Sequence, residues 1–166
     1  MEDSISFTII GNPVSKGSLT RMPNGAMLPS GSANSRRRFG EWRTDVKNAA
    51  IAIMGERNPS DKAIRLYVEF ALPYPTSSVR KYQMGWLPCV KKPDIDKLLR
   101  GLMDPMTKVV WRDDSQVIFV TVTKVYAWTG NPGARVTIDF LEDETLKRFG
   151  ESRNILLGVM AKHGIE

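Results

Sequence analysis

Ile64, Leu66, Val68, Phe70 and Leu72 fall on every second position of one segment, separated by mostly polar or small residues, until Pro73 closes the run. Only a pleated strand puts such a set on one face, so 64–72 is a half-buried strand whose apolar side must be covered. Val117 to Val125 is β-branched and alternates in the same way, and Arg135 to Leu141 alternates again. The turn signal Gly130-Asn131-Pro132-Gly133 between them predicts that these two strands form a hairpin. Ser4 to Ile10, stopped by Gly11-Asn12-Pro13, reads as a first strand. The cover has a different period. Phe39, Trp42, Val46, Ala49, Ala50 and Ile53 recur three and four apart, the stripe of a helix ending near Gly55. Leu98, Leu99, Leu102 and Met103 repeat that spacing after Asp94, a candidate N-cap, and Pro105 marks the helix end. A last helix from about 142 to 162 carries Leu146, Phe149, Leu156 and Met160. The order β-α-β-α-β-β-α predicts one α+β domain, a mixed sheet flanked by helices. Residues 1–141 make its body and 142–166 a C-terminal helical extension.

Two stretches cannot contribute to a core. Residues 11–38 are rich in Gly, Pro, Ser and Asn, and read as a long loop or partly disordered arm. Residues 73–93 hold four Pro with Arg80, Lys81, Tyr82 and Trp86 dispersed among them, a connection long enough to be functional or mobile.

The chemistry available is narrow. The chain has 166 residues with one Cys (Cys89) and one His (His163), which excludes a disulfide framework and a multi-cysteine metal site, and argues against a Ser-His-Asp triad. Catalysis, if present, falls to carboxylates or lysines. Net charge is +6, with residues 1–100 at +7 and the remainder at −1, which favours a polyanionic partner. Met1-Glu2-Asp3 does not open a signal peptide and no apolar run reaches membrane-spanning length, so a cytoplasmic protein without a membrane partner is expected.

Two acidic groups stand out: Asp94-Ile95-Asp96 at the start of a helix and Asp113-Asp114 just before a strand. Grouped carboxylates repel by roughly 4 kcal/mol at 4 Å and an effective dielectric near 20, so they call for a compensating cation. Mg²⁺ or Mn²⁺ would supply it, taking carboxylate oxygens and activating water for phosphodiester hydrolysis. The plainer alternative is that Asp94 caps its helix, Asp96 complements the helix dipole, and Asp113-Asp114 are turn residues. Lys91 and Lys92 before the first group, with Lys97 and Arg100 after it, favour a site for metal and phosphate together.

Lys92-Pro93-Asp94-Ile95-Asp96-Lys97-Leu98-Leu99-Arg100, then Asp104, then Val110-Trp111-Arg112-Asp113-Asp114-Ser115-Gln116-Val117 resembles the RusA-type endodeoxyribonucleases, the Holliday junction resolvases often encoded by phages. The similarity is strong over about 91–125 and looser over about 4–140, taking in Gly11-Asn12-Pro13 and Lys124. The resemblance implies a homodimer that binds four-way DNA junctions and makes paired nicks with Mg²⁺ or Mn²⁺. By position it makes Asp94, Asp96 and Asp114 the catalytic, metal-binding carboxylates, with Asp113 an auxiliary ligand. Arg100 stands where the best-known members have Lys. Arg keeps the charge, so a phosphate clamp carries over, but it does not donate a proton at neutral pH. Lys97 replaces a common Asn and is expected on phosphate near the cut.

Further out, Arg36-Arg37-Arg38 is the densest basic run, placed just before the first helix, and Lys16 and Arg21 precede it. With Lys91, Lys92, Lys97 and Lys124, Lys16 and the three arginines form the expected DNA-binding set. Flaps and forks are alternative branched substrates. The competing reading is a non-catalytic basic DNA-binding module; a D-x-D sugar transferase or phosphatase fits less well, since Asp94 follows Lys-Lys-Pro rather than an apolar strand. Trp42 belongs to the core stripe, Trp111 is expected to pack under the site, and Cys89 and His163 receive no role.

Overall fold

The computed structural model describes residues 3–15, 19–21, 27–29, 32–74, 88–127, 131–143, 145 and 147. Strand β1 (Asp3–Ile10) is followed by a two-stranded pair, β2 (Leu19–Arg21) and β3 (Met27–Pro29), then helix α1 (Ala33–Met54). Strand β4 (Ala63–Leu72), helix α2 (Ile95–Met106), a single 3-10 turn (Asp114–Gln116), and strands β5 (Val117–Tyr126) and β6 (Gly133–Leu141) complete it. The fold is a mixed α+β domain. The main sheet runs β1-β6-β4-β5, with β4 and β5 parallel and the other pairs antiparallel.

Alternation in β4 works as the sequence implies. Ile64, Leu66, Val68, Phe70 and Leu72 are all buried, in one core with Trp42 and Val46 of α1 and Leu98 and Leu102 of α2. The opposite face is polar: Arg65 pairs with Asp139 at 2.9 Å, and Ser4 donates to the same carboxylate at 2.8 Å.

Three expectations are corrected. β5 and β6 do not form a hairpin, because β4 lies between them. The β4-α2-β5 unit needs a crossover helix to bring two parallel strands side by side, and β6 then takes the free edge of β4. The arm 11–38 holds two short strands, and α1 begins at Ala33, six residues before the apolar stripe. The Ser32 hydroxyl caps it by accepting the Ser35 N–H at 3.2 Å. Arg36, Arg37 and Arg38 therefore stand on the first turns of α1 rather than ahead of it.

Residues 143, 145 and 147 are helical. Glu142, the expected first residue, lies just ahead of them and is not helical. The remainder of the expected terminal helix lies outside the described residues, as do Lys16, Arg80, Lys81, Tyr82, Trp86 and His163. Among the described residues no helix is long and apolar enough to cross a membrane.

Candidate active site

Asp94 occupies the N-cap of α2, yet its carboxylate makes no capping hydrogen bond. Lys97, one turn on, donates to Asp94 Oδ2 at 2.7 Å. That bond and its charge hold the Asp94 carboxyl below the usual carboxylate range and raise Lys97 correspondingly, so both are charged at neutral pH. The sequence gives Lys97 to phosphate; the structure places it on Asp94. Asp96 and Arg100 are exposed on the first turns of the same helix, and neither forms an ion pair among the described residues.

The loop before Asp94 is held from the sheet. Lys124 on β5 donates to the carbonyls of Lys91 and Pro93 at 2.6 and 2.7 Å. Its ammonium thus anchors the segment that presents Asp94. The Lys91 and Lys92 side chains stay exposed and line a groove of about 490 Å³ together with Arg38, Asn12 and Pro13. The structure therefore joins one arginine of the basic run to the two lysines, beside the Gly-Asn-Pro segment. Arg37 instead pairs with Glu41 at 3.1 Å.

The second acidic group divides by function. Asp113 caps the 3-10 turn: its Oδ1 accepts the Ser115 N–H at 2.9 Å, while the Gln116 side chain accepts the Asp113 N–H, a reciprocal capping box. Hydrogen bonds from the Ser115 hydroxyl and N–H hold the Asp113 carboxyl low. Asp114 does no such work. Its Oδ1 accepts from the indole of Trp111 at 2.9 Å and from the Thr107 hydroxyl. Trp111 is fully buried, so the carboxylate is aimed by a rigid donor. Packing of Trp111 beneath the site is legible in the sequence; its hydrogen bond shows there only as the i, i+3 spacing to Asp114.

A second basic groove, about 530 Å³, adjoins Thr107 at the far end of α2. Arg43 and Lys47 from α1 and Lys108 after α2 line it, with Asp104 as a single opposing carboxylate. None of these three cations is in the sequence-derived set. The available signal is two like charges at i, i+4 off the apolar stripe of α1, which helix stability disfavours. Such a groove can hold phosphodiester oxygens.

The donor chemistry suits a hard divalent cation: carboxylate oxygens, with no His beside them among the described residues. Among the described residues, however, no three acidic, His or Cys side chains come close enough to hold an ion.

The profile of the family described as "Endodeoxyribonuclease RusA" matches residues 26–139, more than half of the chain. The chain is also 26% identical over 135 residues to the "Uncharacterized protein YqaN" of Bacillus subtilis (strain 168), covering 75% of this chain and 89% of that one.

Proposed function

Because the chain belongs to the RusA endodeoxyribonuclease family, we propose that it is a divalent-cation-dependent nuclease that resolves four-way junctions, or related flaps and forks, by paired hydrolysis as a homodimer. One observation carries the reading: Asp94 and Asp114 are both fixed in place while neither caps the element it stands on. A carboxylate at an N-cap that forgoes its cap is available for other chemistry. Mg²⁺ or Mn²⁺ on Asp94, Asp96 and Asp114 would supply an activated water and charge compensation at the leaving 3′ oxygen. Trp111 and Thr107 orient Asp114, Lys97 holds Asp94 ionised, and Arg100 meets the phosphate near the cut. Arg38, Lys91 and Lys92 on one groove, with Arg43, Lys47 and Lys108 on the other, follow the DNA backbone away from the acids. A soluble enzyme acting on DNA in a bacterial or phage-infected cytoplasm is the setting this implies.

The test is nicking of a labelled four-way junction, with flap, fork and linear duplex beside it, in Mg²⁺ and in chelator. Wild type is expected to nick branched DNA only with the cation. Asp94→Asn is expected to lose cleavage while keeping or tightening junction binding, since phosphate no longer meets that carboxylate. Undiminished nicking by Asp94→Asn would overturn the assignment, and metal-indifferent binding without cleavage would mark a DNA-binding module instead.

A further inference from the structure

The two grooves beside α2 differ in chemistry. The one at its far end is lined by Arg43, Lys47 and Lys108 with two threonines, and by no aromatic ring among the described residues. Cations and hydroxyls are what a sugar-phosphate backbone calls for. The groove at the start of α2 has exposed cations too, Arg38, Lys91 and Lys92, but its inner walls are of another kind. Tyr74 and Tyr126 line it as a stacked pair, with ring centroids 5.4 Å apart and planes 17° from parallel. Pro73 and Pro93 add apolar faces, and Asn12 an exposed amide. Duplex DNA has nothing to offer such walls, because its bases stack on one another and show only their edges. An unpaired nucleotide does, since a base with a free face stacks on aromatic side chains whatever its identity.

These walls are held from the sheet. The Cys89 N–H donates to the Lys124 carbonyl at 3.1 Å, and the Lys124 ammonium holds the Lys91 and Pro93 carbonyls, so both ends of Cys89 to Pro93 are tied to β5. Tyr126 ends that same strand and is buried. The volume of about 490 Å³ lies within the roughly 300–1,000 Å³ of small-molecule sites, room for one nucleotide. Among the described residues none of Arg38, Lys91 and Lys92 is engaged in an ion pair, which leaves three cations for phosphate.

We propose that this groove receives one unpaired nucleotide of a branched DNA strand. Its base lies against the tyrosine pair and the proline faces, and its phosphates meet Arg38, Lys91 and Lys92. The Asn12 amide, both donor and acceptor, serves the polar edge of the base. Pro93 lines the groove and directly precedes Asp94, so a nucleotide held there brings the adjoining stretch of its strand to that carboxylate. Selection of branched over duplex DNA follows, because only a branch supplies an unpaired nucleotide.

The link to cutting rests on the proposed nuclease activity; the binding does not, and it is measured in chelator. A forked duplex carries an abasic residue at each unpaired position beside the branch in turn, and affinity is read by fluorescence anisotropy. At one position the missing base is expected to weaken wild-type binding roughly ten-fold, the loss of one base–aromatic stack. Tyr74→Leu, with unchanged circular dichroism, is expected to bind the intact fork weakly by a similar factor and to be indifferent to the abasic change. Equal affinity at every position overturns the proposal, as does a folded Tyr74→Leu that keeps the full abasic penalty. A second arm uses wild type alone. 5-Iodouracil at the sensitive position, when irradiated, couples to an aromatic ring it stacks on, and the joined peptide is expected to contain Tyr74 or Tyr126. Cross-links confined to other peptides overturn the pocket. A wild type that nicks branched DNA yet tolerates every abasic position keeps the nuclease reading and loses the pocket. One that never nicks, but shows the ten-fold loss and the cross-link, keeps the pocket and loses the nuclease reading.

Discussion

Lys108 adopts a φ of 66°, a left-handed conformation that costs a non-glycine residue about 1 kcal/mol or more. The turn itself does not ask for lysine: the Lys108 N–H donates to the Trp111 carbonyl at 2.6 Å, which any residue but proline could do. The side chain is what the strain maintains, on the groove with Arg43 and Lys47. Lys108→Gly separates the two roles. Unfolding in urea is expected to show stability equal to wild type or up to about 1 kcal/mol higher, strain relief being offset by the freedom glycine gains when unfolded. Junction affinity is expected to fall several-fold and the salt dependence to ease by about 0.9 in log–log slope, one phosphate contact. Unchanged affinity would remove this groove from the DNA path. The same scale shows what spacing cannot resolve. Asp113 and Asp114 are identical neighbours, and their roles diverge only because Ser115 and Gln116 take the first as a cap while Trp111 and Thr107 reach the second.

Glycine also sets the strictest limit on the elements. Gly133 pairs with Ile10 where β6 meets β1, and a Cβ there would lie 2.1 Å from the Ile9 carbonyl oxygen. The backbones must part to admit one methyl group, so Gly133→Ala is expected to cost about 2–3 kcal/mol or more. Gly40, inside α1, has nothing within 4 Å of the same position. Its alanine variant is expected to gain up to about 1 kcal/mol, a control in the same urea titration. A loss at Gly40 equal to that at Gly133 would show that the β1–β6 approach is not what matters. Element identity was readable where an apolar face repeats, as in β4, α2 and the later turns of α1. The first turns of α1 were not, because Ala33 to Arg38 carry no apolar stripe and are helical through the Ser32 cap and continuity with the buried turns from Trp42 onward. Pairing was less legible still: Gly130 to Gly133 announces a turn, but which strand comes to lie beside β6 depends on the crossover through α2.

For the whole molecule, the +6 charge matters by position rather than by sum. Basic grooves flank both ends of α2, one holding Arg38, Lys91 and Lys92 and the other Arg43, Lys47 and Lys108. Each adjoins one acidic group, so DNA lying along α2 would meet cations on either side of the carboxylates. Composition predicted the polyanion but not this division, which exists only once α1 is folded against α2. Neutralising five or six phosphates through these cations gives a log–log slope of binding against salt near −5, at about 0.9 per contact. Replacing Arg36, Arg37 and Arg38 together with Ala tests how the first turns of α1 share in this. Arg38 faces the groove, whereas Arg37 is already engaged with Glu41, so the run should not count as three equal contacts. The expected loss is therefore about 1 to 2 in slope, rather than the roughly 2.7 of three free phosphate contacts. Junction binding measured in chelator across a salt series, by fluorescence anisotropy, reads this directly. A full loss of three contacts would mean that Arg37 abandons Glu41 for phosphate on binding; no change at all would leave the anchoring of DNA to the lysines and the second groove.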